Sequence, residues 1–320
     1  MTPFRRLKTP ALALFGGLAM ALMAGTPACA TDAAYLWAND PSAASYAPAG
    51  NYAFNAGAPV TVSRTGLGLY QVQLGAIVSG AGGNVQVTAY GLDGDYCHVE
   101  SWTGGIVRVR CFNANASAGD TQFSLLVLRA EAGEANDELA YVWANQPNAA
   151  SYTPDTSYTY NNGNPVTVTR SATGVYRVNL GSVVGNAGGN AQVTAYGPDN
   201  RRCKVENWFA GAVNVRCFDG GGSAADSRFS LSFVRANPSD EGLAYVWAND
   251  ATSPNYTPDP TYSFNDGAPG SITRSGTGTY QVQLGAIVSG DGQNAQVTAY
   301  GPGNEHCKVI GWGGGSVNVR

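Results

Sequence analysis

The chain has 320 residues, of which 12% are charged, about half the usual share of roughly 25%. Lysine stands at only three positions, Lys8, Lys204 and Lys308, and the formal net charge is −4. That balance excludes a polybasic nucleic-acid binder and a lysine-rich surface helix.

The first thirty residues read as an address. Arg5, Arg6 and Lys8 precede an apolar stretch from Ala11 to Ala24, shorter than the roughly 20 residues of a membrane span. Ala28-Cys29-Ala30 then offers small residues for a cleavage site before Thr31. Residues 1–30 are therefore expected to be a cleaved secretory signal peptide, against an uncleaved anchor or a lipidated Cys29, for which Thr26-Pro27-Ala28 is a poor box. The expected mature chain carries 15 basic and 22 acidic residues, a net charge of −7. It is expected to be secreted (extracellular, with the periplasm and the cell surface as alternatives), with no membrane insertion and no nucleic-acid partner.

One unit is then written three times. Ala34 to Asn39 returns as Ala140 to Asn145 and as Ala244 to Asn249, at offsets of 106 and then 104. The same offsets relate Arg64, Arg170 and Arg274, then Tyr70, Tyr176 and Tyr280, and the Gln-Val-Thr-Ala-Tyr-Gly strings that begin at Gln86, Gln192 and Gln296. Copies this long are tandem domains and not the short repeats of a solenoid. The expected boundaries are 31–130, 140–235 and 244–320, with small, acidic linkers at 131–139 and 236–243.

Within a copy the apolar period is two. In chain order, strands are expected at Ala34–Asn39, Tyr52–Asn55, Val60–Arg64, Tyr70–Leu74, Val85–Ala89, Cys97–Trp102, Val107–Cys111 and Gln122–Leu128, separated by Gly, Asn, Asp and Pro clusters. No stretch combines helical spacing with capping signals. The expected fold is all-β: tandem antiparallel β-sandwiches, jelly-roll or immunoglobulin-like, with the strand order left open. Tyr35 and Trp37 are expected in the core.

Cys97 and Cys111 are fourteen apart, as are Cys203 and Cys217. In an exported chain each pair reads as one disulfide within its copy. Metal ligation would want clustered thiols or histidines, and the chain has only His98 and His306. Folded about Thr103-Gly104-Gly105, the hairpin sets Cys97 against Cys111, Val99 against Val109, Ser101 against Val107 and Glu100 against Arg108. The third copy stops short. The offset from Cys217 points to position 321, so Cys307 is left unpaired and no counterpart of the last strand follows. The expectation is that this is a piece of a longer chain, with a third copy that exposes a sheet edge.

No catalytic constellation recurs. His98 gives way to Lys204 and Lys308, and His306 stands where Tyr96 and Arg202 stand, so no Ser–His–acid triad is shared. Asp120 and Asp226 read as turn residues before the last strand. Asp93-Gly94-Asp95 is a weak calcium candidate because the other copies lack it. No catalytic residue, metal or cofactor is expected. The better lead is aromatic: Trp102, Trp208 and Trp312 stand beside the hairpin tips, on the face opposite the cystine. There a flat ring can stack on a sugar, and three weak sites can gain avidity. The competing reading, which the bulk of the ring favours, folds each tryptophan over the sheet end as satellite core.

The strings Thr173-Gly174-Val175-Tyr176-Arg177-Val178, Gln-Val-Thr-Ala-Tyr-Gly, Cys-Lys-Val, Val-Asn-Val-Arg-Cys-Phe and Asp-Ser-Arg-Phe-Ser together resemble a module of exported bacterial proteins with no assigned function. The resemblance spans nearly all of the mature chain, apart from the missing end of the third copy. It implies a secreted bacterial setting and a β-rich fold, and it carries no known site residues. The expected function is non-enzymatic adhesion or recognition of a glycan or other cell-surface ligand, by monomeric beads on a string. Two alternatives stand beside it: accessory or spacer modules of a larger exported enzyme, and a structural envelope or matrix component.

Overall fold

The computed structural model describes residues 31–130, 138–185, 187–236, 242–265, 268, 270–288 and 292–320. The expected leader, 1–30, and residues 131–137 and 237–241 of the expected linkers lie outside the described residues.

The first copy forms β1 (Thr31–Ala38), β2 (Ser45–Tyr46), β3 (Ala53–Phe54), β4 (Thr61–Gly66), β5 (Leu69–Gln73), β6 (Asn84–Tyr90), β7 (Tyr96–Thr103), β8 (Ile106–Phe112) and β9 (Gln122–Ala130). The second forms β10 (Leu139–Ala144), β11 (Ser151–Tyr152), β12 (Thr159–Tyr160), β13 (Thr167–Ala172), β14 (Val175–Asn179), β15 (Asn190–Tyr196), β16 (Arg202–Phe209), β17 (Ala212–Phe218) and β18 (Arg228–Val234). The third forms β19 (Ala244–Val246), β20 (Asn255–Tyr256), β21 (Ser263–Asn265), β22 (Ser271–Gly276), β23 (Thr279–Gln283), β24 (Val309–Gly313) and β25 (Ser316–Val319). The chain is all-β and sandwich-like. Every expected strand of the first copy has a counterpart; the short β2 was not foreseen. Among the described residues only short 3-10 turns, such as Gly75–Val78, are helical, and no helix is long and apolar enough to cross a membrane.

Alternation builds the layers. In the first copy β3-β1-β9-β6 form one layer and β7-β8-β5-β4-β2 another. Leu36, Val85, Val107, Val109, Phe123 and Leu125 are fully buried between them. The second copy repeats this with β12-β10-β18-β15 and β11-β13-β14-β17-β16. On β1 the inward face is Ala34, Leu36 and Ala38. Tyr35 and Trp37 take the other face and are half-buried, which corrects their expected place in the core. A strand has two faces, and here the smaller side chains take the crowded inner one.

The layers continue across the copy boundaries. β15 pairs in parallel with β7 through Tyr196 and Val99, β24 pairs in parallel with β6 through Val309 and Tyr90, and Val205 of β16 bridges Tyr300. These are equivalent positions in each copy, and they join the first copy to the second, the second to the third and the third back to the first. The expected string of separate beads is corrected to a closed arrangement.

The physical reason lies in the second face of the Gln-Val-Thr-Ala-Tyr strands. Gln86 and Thr88 look solvent-facing by alternation, yet they are 2% and 5% exposed. Burying such groups unpaired costs roughly 2–7 kcal/mol each, so each copy supplies partners to the next. The Val87 amide donates to Thr194 Oγ1 at 3.1 Å, and that hydroxyl donates to Gln86 Oε1 at 2.9 Å. The Val193 amide donates to Thr298 Oγ1 at 3.0 Å. The Val297 amide donates to Thr88 Oγ1 at 3.0 Å, and Thr88 Oγ1 donates to Gln296 Oε1 at 2.9 Å. Thr194→Val keeps the volume but strips partners from Val87 N and Gln86 Oε1. It should cost about 2 kcal/mol, read by denaturant unfolding, with hydrogen exchange accelerated at the Val87 amide while amides in β4 and β13 keep their protection.

Candidate functional site

The expected pairing of the cystine hairpin holds at Cys97–Cys111 and Val99–Val109 and then shifts. Ser101 pairs with Arg108, Trp102 with Val107 and Thr103 with Ile106. The loop is the two-residue Gly104-Gly105, with φ of 59° and 85°, as a type I′ turn requires. Glu100 is the extra residue of a β-bulge, and its partner is Arg110 at 2.9 Å, not Arg108. Hairpin β16–β17 shifts between Val205 and Asn207, and β24–β25 between Val309 and Gly311.

One added residue reverses the face of everything beyond it. The three tryptophans therefore turn inward, and the expected open stacking face is corrected. Trp102 is 4% exposed and Trp208 8%; Trp312 is half-buried. Each packs into the neighbouring copy. Trp102 meets Trp143, Tyr158 and Tyr196 at centroid distances of 6.2, 5.8 and 5.4 Å. Trp208 meets Trp247, Tyr262 and Tyr300 at 6.1, 6.0 and 5.5 Å. Trp312 closes the circuit on Trp37, Tyr52 and Tyr90 at 5.6, 6.2 and 5.4 Å. Edge-to-face contacts of this kind add roughly 0.5–1.5 kcal/mol beyond the area they bury. Trp102 and Trp208 also donate their indole N–H to the carbonyls of Gly82 and Gly188, both at 3.2 Å. The junction aromatics Trp37, Trp143 and Trp247 and their tyrosines were not foreseen as contacts, although their recurrence at the repeat offsets was in plain view.

Among the described residues two disulfides are present, Cys97–Cys111 and Cys203–Cys217, and Cys307 is free. Burial pushes the Cys307 thiol above its ordinary pKa, so it is a poor nucleophile.

Near Cys307, equivalent residues of the three copies meet. The Arg202 guanidinium lies 5.0 Å over the Tyr96 ring and its Nη1 is 3.3 Å from His306 Nδ1; His306 packs edge-on against Tyr96. A cavity of about 60 Å³, bordered by Thr88, Thr194, Thr298 and these groups, admits water-sized molecules only.

One step along the strands, the His98, Lys204 and Lys308 positions each face the 93–95 loop, or its equivalent, in the next copy. Buried Lys204 donates to Glu305 at 3.0 Å and buried Lys308 to Asp93 at 2.5 Å. His98 instead meets the loop that carries Arg201. Burial first, then the charge of Arg110, pushes His98 down to about 3; the nearby Arg201 backbone favours the proton only weakly. No hydrogen-bond partner at bonding geometry meets either ring nitrogen. The charge of this loop changes from copy to copy, acidic where a lysine faces it and arginine-bearing where His98 does.

Asp120 and Asp226 do more than turn the chain. Asp226 accepts from Arg170, from the Gly174 amide at 2.8 Å and from Tyr176 at 3.0 Å. The Arg170 bond, ahead of an opposing burial effect, holds its carboxyl below the ordinary range. Asp120 repeats this with Arg64, Gly68 and Tyr70. Asp93, the calcium candidate, is taken by Lys308. Among the described residues no cluster of three or more His, Cys, Asp or Glu stands ready for a metal. An open polar cleft of about 540 Å³ on the second copy, bordered by Asp199, Arg201, Asp219, Asp226 and Arg228, holds neither histidine nor cysteine. No family model, curated protein or solved structure matches the chain.

His98 makes stability depend on pH. It stays neutral in the fold, while the unfolded chain takes up a proton below about 6.5. Stability should therefore fall as pH drops from 6.5 toward 3, and His98→Gln should flatten that part of an unfolding–pH profile. At neutral pH, His98→Lys buries a cation that feels the charge of Arg110 and lacks the carboxylate that Lys204 and Lys308 each meet, and it should cost about 3 kcal/mol. Adding Arg201→Glu copies the Lys204–Glu305 pair and should recover most of that loss in a double-mutant cycle.

Proposed function

We propose that this protein is a non-enzymatic structural component of an exported assembly, built from three β-sandwich copies closed on one another, the first two pinned by a disulfide. One observation carries the reading. The hairpin-tip tryptophans, the strongest candidates for ligand contact, are taken up in the contacts between copies. The histidines and recurring acids support it, because His98 is buried and neutral, His306 is held between Arg202 and Gly94, and Asp120 and Asp226 are held by arginines. Two disulfides suit an oxidising compartment, and the resemblance to an exported bacterial module agrees with it.

Adhesion or ligand recognition is the second reading, favoured by Leu92, Leu67 and Phe209, which are 68%, 54% and 50% exposed on separate tips. Glycan titration followed by tryptophan emission, together with sedimentation, separates the two. The structural reading expects blue-shifted emission that resists quenching and does not respond to glycans, with self-association as concentration rises. A saturable emission change with a glycan, on a chain that stays monomeric throughout, would overturn it.

A further inference from the structure

The junction that joins the third copy to the first holds one more acid than its ion pair uses. Lys308 is 2% exposed, and its Nζ donates to Asp93 Oδ1 at 2.5 Å. Asp95, 8% exposed, stands on the same loop and reaches both partners: its carboxyl shares a hydrogen bond with that of Asp93 and feels the charge of Lys308. Main-chain contacts hold the groups together. Val309 pairs with Tyr90, and its carbonyl accepts from the Gly91 amide at 3.0 Å, which fixes Lys308 beside the start of the loop. The His306 ring meets the Gly94 carbonyl at 3.2 Å. The junction between the second and third copies lacks this set. Asp93 and Asp95 correspond there to Gly303 and Glu305, so buried Lys204 meets Glu305 at 3.0 Å with no acid at the other position.

The two carboxyls of the first copy are driven apart by their surroundings. Burial acts against it, but the hydrogen bond and charge of Lys308 hold Asp93 below the ordinary carboxylate range. Burial first, then the charge of Asp93, lifts Asp95 above that range. A nitrogen nucleophile, a carboxylate touching it and a second carboxyl that keeps its proton more readily therefore stand in one cluster. Neighbouring carboxyls split in this way take different chemical roles. The side chain of Asp93 is 59% exposed while that of Lys308 is 3% exposed, so the nitrogen is shut off from water and a small leaving molecule has a way out.

We propose that Lys308 and Asp93 condense to an amide, a covalent clamp between the third copy and the first, with Asp95 assisting as an acid. The Lys308 ammonium passes one proton to the carboxylate it touches, leaving an amine and a carboxylic acid. The Nζ lone pair attacks Asp93 Cγ and an N–C bond forms. Asp95 gives its proton to one Asp93 oxygen and takes one from the nitrogen with its other oxygen. The carbon then holds two hydroxyls; one C–O bond breaks, and that hydroxyl leaves as water with the proton of the other, relayed by Asp95. One ammonium and one carboxylate become one amide and one water, Asp95 is restored, and no other reactant is consumed. Condensation is uphill between separate molecules in water, and the effective concentration of well-aligned groups, roughly 10⁵–10⁸ M, offsets that. The clamp needs only the closed arrangement of the copies and does not rest on the structural role proposed above.

The test is mass spectrometry of the reduced, denatured chain and of its tryptic peptides. The chain should weigh one water less than its sequence requires, and the peptides that carry Asp93 and Lys308 should emerge joined, while Lys204 and Glu305 stay unlinked. Asp93→Asn should still join and should release ammonia in place of water, which an ion pair cannot imitate. Lys308→Arg keeps the charge and should abolish the link. Asp95→Asn should keep both disulfides and the near-ultraviolet circular dichroism of the fold, yet link at least about a hundredfold more slowly, as loss of an acid–base group implies. A natural chain of full mass whose Lys308 reacts with an amine reagent after denaturation would overturn the proposal. So would loss of water without joined peptides, as a cyclic imide at Asp93-Gly94 gives, or an Asp95→Asn chain that links as fast as the natural one. If Asp95→Asn does not fold, the mass and the joined peptides of the natural chain still decide.

Discussion

Between the cysteine position and the tip of each hairpin, one strand carries one residue more than the other. The surplus residue is Glu100 in the first copy, Glu206 in the second and Ile310 in the third. A tight two-residue turn needs that surplus to close in register, and the register change turns the tryptophan from the outer face to the inner one. Without the bulge, Trp102 would lie on the side away from Val107 and could not reach Trp143. The aromatic contacts between copies, the loss of an open stacking surface and the closing of the third copy on the first all follow from it. The bulged glutamates are anchored too: Glu100 pairs with Arg110 and Glu206 with Arg216.

Identical copies would leave the order of junctions unspecified. The cystine-strand position is histidine, lysine and lysine in turn, and the facing loop is basic in the second copy and acidic in the other two. Lysine meets carboxylate at two junctions, and at the remaining one a neutral imidazole meets the arginine-bearing loop. Exchanging copies would bury like charges against one another, which costs more than any surface pair contributes. The junctions are therefore not interchangeable, even though their aromatic parts nearly are.

Much of this was legible in residue patterns. Period-two alternation located the strands, because one face of each had to be apolar, and the fourteen-residue cysteine spacing located both disulfides. The bulge was not legible, since an extra residue is invisible to alternation when the residues beyond it, Ser101 and Trp102, suit either face. Gln86 and Thr88 misled for a related reason. Polar residues in an alternating strand normally face water, and only the copies' mutual approach turns that face into an interior. Arg64 with Asp120, and Arg170 with Asp226, recurred together at the repeat offsets. That co-occurrence signalled a contact that reading each aspartate alone as a turn residue overlooked.

Closure also changes what each weak contact is worth. In an open row of three copies two junctions form and the outer faces stay wet. Once the first two have formed, the third is intramolecular, and its high effective concentration lets it form with little further ordering of the chain. That matters for the polar strand faces, because a single unclosed junction would leave groups such as Val297 N and Gln296 Oε1 without the partners that Thr88 supplies. The hydrogen bonds contribute little net energy while they are made and cost a great deal when they are left unmade. The buried polar face therefore works mainly against open arrangements, while the aromatic clusters supply the attraction. Each of the two would be insufficient alone: aromatic patches without a polar register would slide, and a polar seam without aromatic burial would stay hydrated.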